Sequence, residues 1–167
     1  MIDAAYGDWL ARGQAHQRSG LPIDAMLCFR QALRLNRHAV VAQHHLGEVL
    51  GSLRQRAEAI EAWRAALAMQ PQHLPSRLAL ATELFRSGAH AEALVQYRQA
   101  LAIEPHNAEA RMGAALTALA KGDEDRDHAG ATAGALIMED GVAVPWDDVA
   151  QVVAALPASP ARSAVLA

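Results

Sequence analysis

The sequence predicts an all-α chain of about three and a half helix–turn–helix repeats, followed by a C-terminal capping helical segment. Three observations predict it. A decapeptide recurs with changes of detail, as RQALRLNRHA at 30–39, RAALAMQPQH at 64–73 and RQALAIEPHN at 98–107, at intervals of 34 residues. A small–aromatic–small series returns at the same interval, and glycines and prolines punctuate it in phase. Self-similarity at a fixed period marks units that cannot bury an apolar face alone and do so by stacking on their neighbours.

The second helix of each unit is the clearer. Ala25, Phe29 and Ala32 are followed by Ala59, Trp63 and Ala66, then by Ala93, Tyr97 and Ala100. Positions i, i+4 and i+7 share one helix face, where the alanines admit a neighbouring helix and the ring fills the space beside them. The first helix carries Trp9, Gly13 and His16, then Gln43, Gly47 and Leu50, then Arg77, Ala81 and Leu84. That spacing is also helical, with a small residue at its centre.

Between the two helices Arg18-Ser19-Gly20 recurs as Arg86-Ser87-Gly88, and Gly122 falls one period later. Glycine suits the left-handed residue that ends a helix; Arg54 breaks the series. Pro71 and Pro105 close the second helix, which proline cannot continue.

Together these residues resemble the tetratricopeptide repeat (TPR) family, whose helix–turn–helix pattern is W-x2-L-G-x2-Y…A-x3-F…P. Leu46-Gly47, Ala59-x3-Trp63 and Pro71 make the second unit the closest match. Repeat one, about 6–39, has His16 for the tyrosine and Arg37 for the proline; repeat two is 40–73; repeat three, about 74–107, has Ala81 for the glycine. A partial fourth unit, 108–122, completes an array over 6–122. The resemblance implies a right-handed superhelix with a concave wall.

Beyond Asn107 a fourth first helix is readable in AEARMGAALTALAKG, but Asp127, Ala131 and Gly134 stand where the small–aromatic–small series should return. The array therefore degenerates. Residues 123–141 read either as a linker or as a small-residue helix. Residues 142–167 read as the capping helical segment: VPWDDVAQVVAALP has proline where a first turn tolerates it, Asp147 and Asp148 near the positive end of the dipole, and an apolar stripe of Trp146, Val149, Val153 and Leu156.

With 52% hydrophobic and 20% charged residues the chain can bury a sizeable core, and a net charge of −3 without a basic block disfavours nucleic acid and membrane surfaces as partners. The single Cys28 excludes an internal disulfide. MIDAAYGDWLARG lacks the basic and apolar regions of a secretory signal, and no apolar run reaches the roughly 20 residues needed to span a bilayer. A cytoplasmic protein is the expectation.

Function is then sought on the concave wall. The stripe beside the core-packed one is Leu10, Gln14 and Gln17, then His44, Glu48 and Gly51, then Leu78, Thr82 and Phe85, then Met112, Leu116 and Leu119. By the resemblance this stripe faces the groove, polar in the first two repeats and apolar in the last two. The apolar end suits an amphipathic helix or extended apolar peptide, unless the C-terminal helix of the chain itself fills it. One TPR subclass grips the C-terminal carboxylate of chaperones with a wall rich in lysine and asparagine. Gln14, Glu48 and Thr82, with Lys121 at a helix end, do not reproduce that wall.

No metal site, cofactor or catalytic residue is expected. His44 and Glu48 share a helix turn but are only two ligands, and His45 points about a third of a turn away. His38, His73 and His106 fall at turns, and Cys28 reads as a small buried hydrophobe. No nucleophile elbow, phosphate loop or dinucleotide fingerprint occurs. The leading expectation is a non-enzymatic scaffold or adaptor that binds a peptide or helix of a partner protein. The alternatives are a docking or regulatory module of a larger enzyme such as a glycosyltransferase, a secretion-type chaperone, and a homo-oligomer assembled through the C-terminal helix.

Overall fold

A computed structural model of the chain describes residues 2–126, 136–137 and 143–144. Among the described residues seven helices follow in order: α1 (Ile2–Arg18), α2 (Pro22–Leu35), α3 (Val40–Ser52), α4 (Arg56–Met69), α5 (Leu74–Arg86), α6 (His90–Ile103) and α7 (Ala108–Arg126). They pair as the period requires: α1 packs on α2, α3 on α4 and α5 on α6 as hairpins, while α2 meets α3, α4 meets α5 and α6 meets α7 between units. The first helices α1, α3, α5 and α7 also touch in succession. The result is an all-α helical-repeat superhelix.

The small–aromatic–small series forms its spine. Ala25, Phe29, Ala32, Ala59, Ala66, Ala93 and Ala100 have no exposed surface, and Trp63 and Tyr97 retain only 4% and 3%. Phe29 and Trp63 reach the glycines at the centres of their first helices, Gly13 and Gly47. A Cβ added to Gly47 would lie 2.5 Å from the Trp63 indole nitrogen, so the close approach of α3 and α4 requires glycine there. Burying a side chain of this size stabilises by about 1.5–3 kcal/mol, and the backbone approach that permits it is what the small residues supply.

The helix ends follow two routes to the same geometry. The residues after α4 and α6, Gln70 and Glu104, are extended, with Pro71 and Pro105 next in the chain. Asn36 after α2 is extended too although Arg37 replaces the proline; there the Asn36 carboxamide oxygen accepts from the His38 N–H at 3.1 Å. At the hairpin turns Gly20 and Gly88 have φ of 70° and 82°, and Arg54 takes the same left-handed place at 64°. On the outer surface Arg30–Glu58 and Arg64–Glu92 repeat one ion pair a period apart at 3.3 and 3.0 Å. Half exposed, such pairs contribute about 0–1 kcal/mol each.

Two expectations change at the C-terminal end. Gly122 does not end a helix: α7 continues to Arg126, since a glycine in a helix interior costs only about 1 kcal/mol. Within the expected linker (123–141) and capping segment (142–167), β1 (Leu136–Ile137) and β2 (Ala143–Val144) pair antiparallel, Leu136 opposite Val144 and Ile137 opposite Ala143. β-Branched Ile137 and Val144 favour this extended pairing over a helix. The remainder of both segments, with the proposed capping helix, lies outside the described residues. No helix among the described residues is long and apolar enough to cross a membrane.

Candidate functional site, the wall of the first helices

The wall is built by α1, α3, α5 and α7, and its two ends differ in chemistry. At the α1–α3–α5 end the polar side chains are joined to one another. Gln17 Nε2 donates to Glu48 Oε2 at 3.0 Å, Gln14 Nε2 lies 3.1 Å from His45 Nε2, and His45 Nδ1 lies 2.8 Å from the same Glu48 oxygen. His44 Nε2 is 3.5 Å from Glu48 Oε1 on the other side of the carboxylate. Behind it the Ser76 hydroxyl links His44 Nδ1 at 3.1 Å to His73 Nδ1 at 2.8 Å, and His73 caps α5 by accepting from the Ser76 N–H.

Aromatic packing orders the same rings. Phe29 and His45 stack with centroids 5.4 Å apart and planes 15° from parallel, and His44 meets His73 edge-on at 5.2 Å. Burial lowers the His44 pKa to about 4, against the attraction of Glu48 and with help from His45 and His73. The hydrogen bond from His45 is the main cause that brings Glu48 down to about 2. Burial, then His45, lowers the His73 pKa as well. At pH 7 the Glu48 carboxylate is therefore ionised and the His44 and His73 rings are neutral.

Three sequence expectations need correction here. His45 does join His44 and Glu48: on a helix the i+4 side chain lies angularly between residues i and i+1, so the Glu48 carboxylate bridges both rings. His44, 9% exposed, and Leu78, 8% exposed, are floor and core rather than open wall, because α5 packs over the first and the hydrophobic core takes the second. His73 is also more than a turn residue, since its ring is the N-cap of α5.

Leu10, Gln14, Gln17, Glu48, Thr82, Phe85, Leu116 and Leu119 are partly exposed, and Met112 is 45% exposed. Toward α7 a cleft of about 560 Å³ gathers Glu48 and Gly51 of α3, Thr82, Glu83 and Arg86 of α5, and Glu109 of α7. Arg56 reaches Glu83 at 3.0 Å across it. Thr82 Oγ1 meets the Tyr97 hydroxyl at 3.0 Å, and Phe85 packs on His90 with centroids 5.5 Å apart.

A further series was legible but unread. Sixteen residues after each aromatic come His45, Ala79 and Gly113, on the first helix of the next unit. His45 stacks on Phe29, Ala79 shares the cleft with Trp63, and a Cβ on Gly113 would lie 2.3 Å from the Tyr97 ring. Each ring is thus covered by the next unit, which sets the inter-repeat register.

Models of the tetratricopeptide repeat match residues 40–73 and 84–126. Among solved structures the chain is similar to MamA, at 23% identity and a TM-score of 0.67 over 73% of this chain and 70% of that one. It is also similar to the first TPR of Spaghetti (RPAP3) bound to the HSP90 peptide SRMEEVD, at 18% identity and 0.69 over 71% and 94%. A mutant O-GlcNAc transferase of Thermobaculum terrenum is similar at 20% and 0.65, over 77% of this chain and 27% of that one. At these identities the likeness is one of fold. No curated protein sequence matches. The repeat models carry one conclusion: the chain contains tetratricopeptide repeats, over residues 40–73 and 84–126.

Proposed function

We propose that this protein is a non-enzymatic scaffold or adaptor that holds an amphipathic segment of a partner protein against the wall of its first helices. One observation carries the reading: side chains of α3, α5 and α7 converge on a single cleft of about 560 Å³; beyond its lining, α7 leaves Met112 exposed and Leu116 partly exposed. Arg56 and Arg86 alternate there with Glu48, Glu83 and Glu109, so a ligand of one charge sign gains little, whereas a segment with an apolar face and mixed charges is complemented along its length. The peptide-bound TPR structure of like fold supports the class of partner.

Capture from the native cell extract, read by mass spectrometry, tests the reading with wild type beside Met112→Glu and Leu116→Glu. The account expects a protein retained by wild type and lost by both variants, with helical circular dichroism unchanged. Equal retention by folded variants removes the α7 end of the wall as the binding surface. A second reading, docking within a larger enzyme, is favoured by the transferase of like fold; a catalytic domain encoded in the same reading frame decides for it.

A further inference from the structure

The hydrogen-bond inventory of the histidine cluster leaves two acceptors face to face. His73 Nδ1 accepts from the Ser76 N–H at 3.3 Å and so carries its lone pair there. The Ser76 hydroxyl, 2.8 Å from the same nitrogen, must donate to it, which leaves Ser76 Oγ to accept from His44 Nδ1–H at 3.1 Å. In that tautomer His44 Nε2 presents a lone pair to Glu48 Oε1 at 3.5 Å. The other carboxylate oxygen already receives His45 Nδ1–H and Gln17 Nε2–H.

Two ligands of one tetrahedral zinc ion, each about 2.0–2.1 Å from the metal, stand about 3.3 Å apart, close to the separation of this acceptor pair. His45 supplies a third nitrogen on the same turn, with all three ligand atoms within 4.8 Å of one another. We propose that His44, His45 and Glu48 form a site for a divalent transition-metal ion of the zinc class. Two imidazoles and a carboxylate suit zinc, nickel or copper, and not magnesium or calcium, which take oxygen ligands.

The surroundings are those of an oriented site. Ser76 and His73 hold the His44 tautomer, and Gln14 and Gln17 steer His45 and Glu48, the kind of support that metal-ligating histidines and carboxylates receive. On binding, His45 changes tautomer: Nδ1 gives up its proton and turns its lone pair to the metal while Nε2 takes one up, the Gln14 carboxamide turning over to accept it. The remaining coordination position opens on a shallow cleft of about 440 Å³ lined by Gln14, Gln17, Arg18 and His45, where water or a partner's side chain completes the shell. The site stands whether or not the α7 end of the wall captures a peptide.

Titrating the chelator-treated full chain with zinc chloride by calorimetry tests the proposal. One equivalent binds, magnesium chloride gives no response, and Glu48→Gln weakens zinc by about tenfold or more. His38→Ala and His106→Ala, at exposed turns, bind as wild type does. Histidine-selective ¹⁵N NMR of the wild type moves His44 Nε2, a readout that holds even if Glu48→Gln fails to fold by circular dichroism. Absence of saturable binding, an equal response to magnesium, undiminished affinity in folded Glu48→Gln, or a spectrum in which His44 stays still while His38 or His106 moves overturns the site.

Discussion

The two ends of the first-helix wall share one 34-residue frame and hold their neighbours by different means. At the α1–α3–α5 end, side chains of successive first helices are linked by hydrogen bonds: Gln14 to His45, Gln17 to Glu48, His44 to Ser76. At the α7 end the close approach is between α6 and α7 and is made by small residues, with Ala110 and Ala114 fully buried and Gly113 under the Tyr97 ring. The repeat therefore specifies where helices sit, while the wall residues are free to become a polar network or an apolar seat. A polar network in low dielectric is strong when satisfied and costly when broken. Met112, Leu116 and the small residues of α7 carry no titratable group.

Acid separates the two most sharply. His44 has a folded pKa of about 4 against 6.5 unfolded, so its neutral form is preferred in the fold and stability falls as pH drops through 6.5 toward 4. Glu48, at about 2 against 4.5, contributes stability above 4.5 that is lost as pH falls toward 2, in the same direction. His73, also lowered by burial, adds to the loss, with His45 adjoining both rings. Chelator-treated protein should therefore lose on the order of 2–3 kcal/mol between pH 7 and pH 4, read by urea unfolding. His44→Gln should flatten that dependence. A profile unaltered by the substitution would detach the loss from the polar end of the wall.

A smaller effect sharpens the comparison at the hairpin turns. Gly20 and Gly88 accept a positive φ freely, whereas Arg54 holds 64° with a side chain on it. A left-handed conformation costs a residue with a Cβ roughly 1–2 kcal/mol, partly offset by the greater freedom glycine loses on folding. Arg54→Gly should stabilise by about 0.5–1 kcal/mol in the same denaturant assay. Destabilisation instead would mean that the Arg54 side chain, on the rim of the larger cleft, contributes more than its backbone costs.

The hairpins were legible because their determinants are periodic and local: every Ala–aromatic–Ala triad read from sequence is buried as a unit. The wall was legible less completely. Leu78 and Phe85 share a stripe in the helical projection, yet packing of α5 against the core buries the first and leaves the second partly open, a decision made by tertiary contact. The link from His44 through Ser76 to His73 crosses 32 residues between His44 and Ser76, beyond the reach of helix spacing. His44 and His45 point a third of a turn apart, and it is the Glu48 carboxylate lying between them that brings the two rings to one cluster. Gly122 carries a turn signal that the longer α7 overrides, since local propensity is a weak prior.

Stacking of the hairpins in register underlies the cleft, the histidine cluster and the covering of each aromatic ring by the next unit. A nuclear Overhauser spectrum of the wild-type chain measures it directly. Cross-peaks between the ring protons of Phe29 and His45, and between those of His44 and His73, are the expected result, given centroids 5.4 and 5.2 Å apart. A folded helical chain in which neither pair gives a cross-peak would contradict the register.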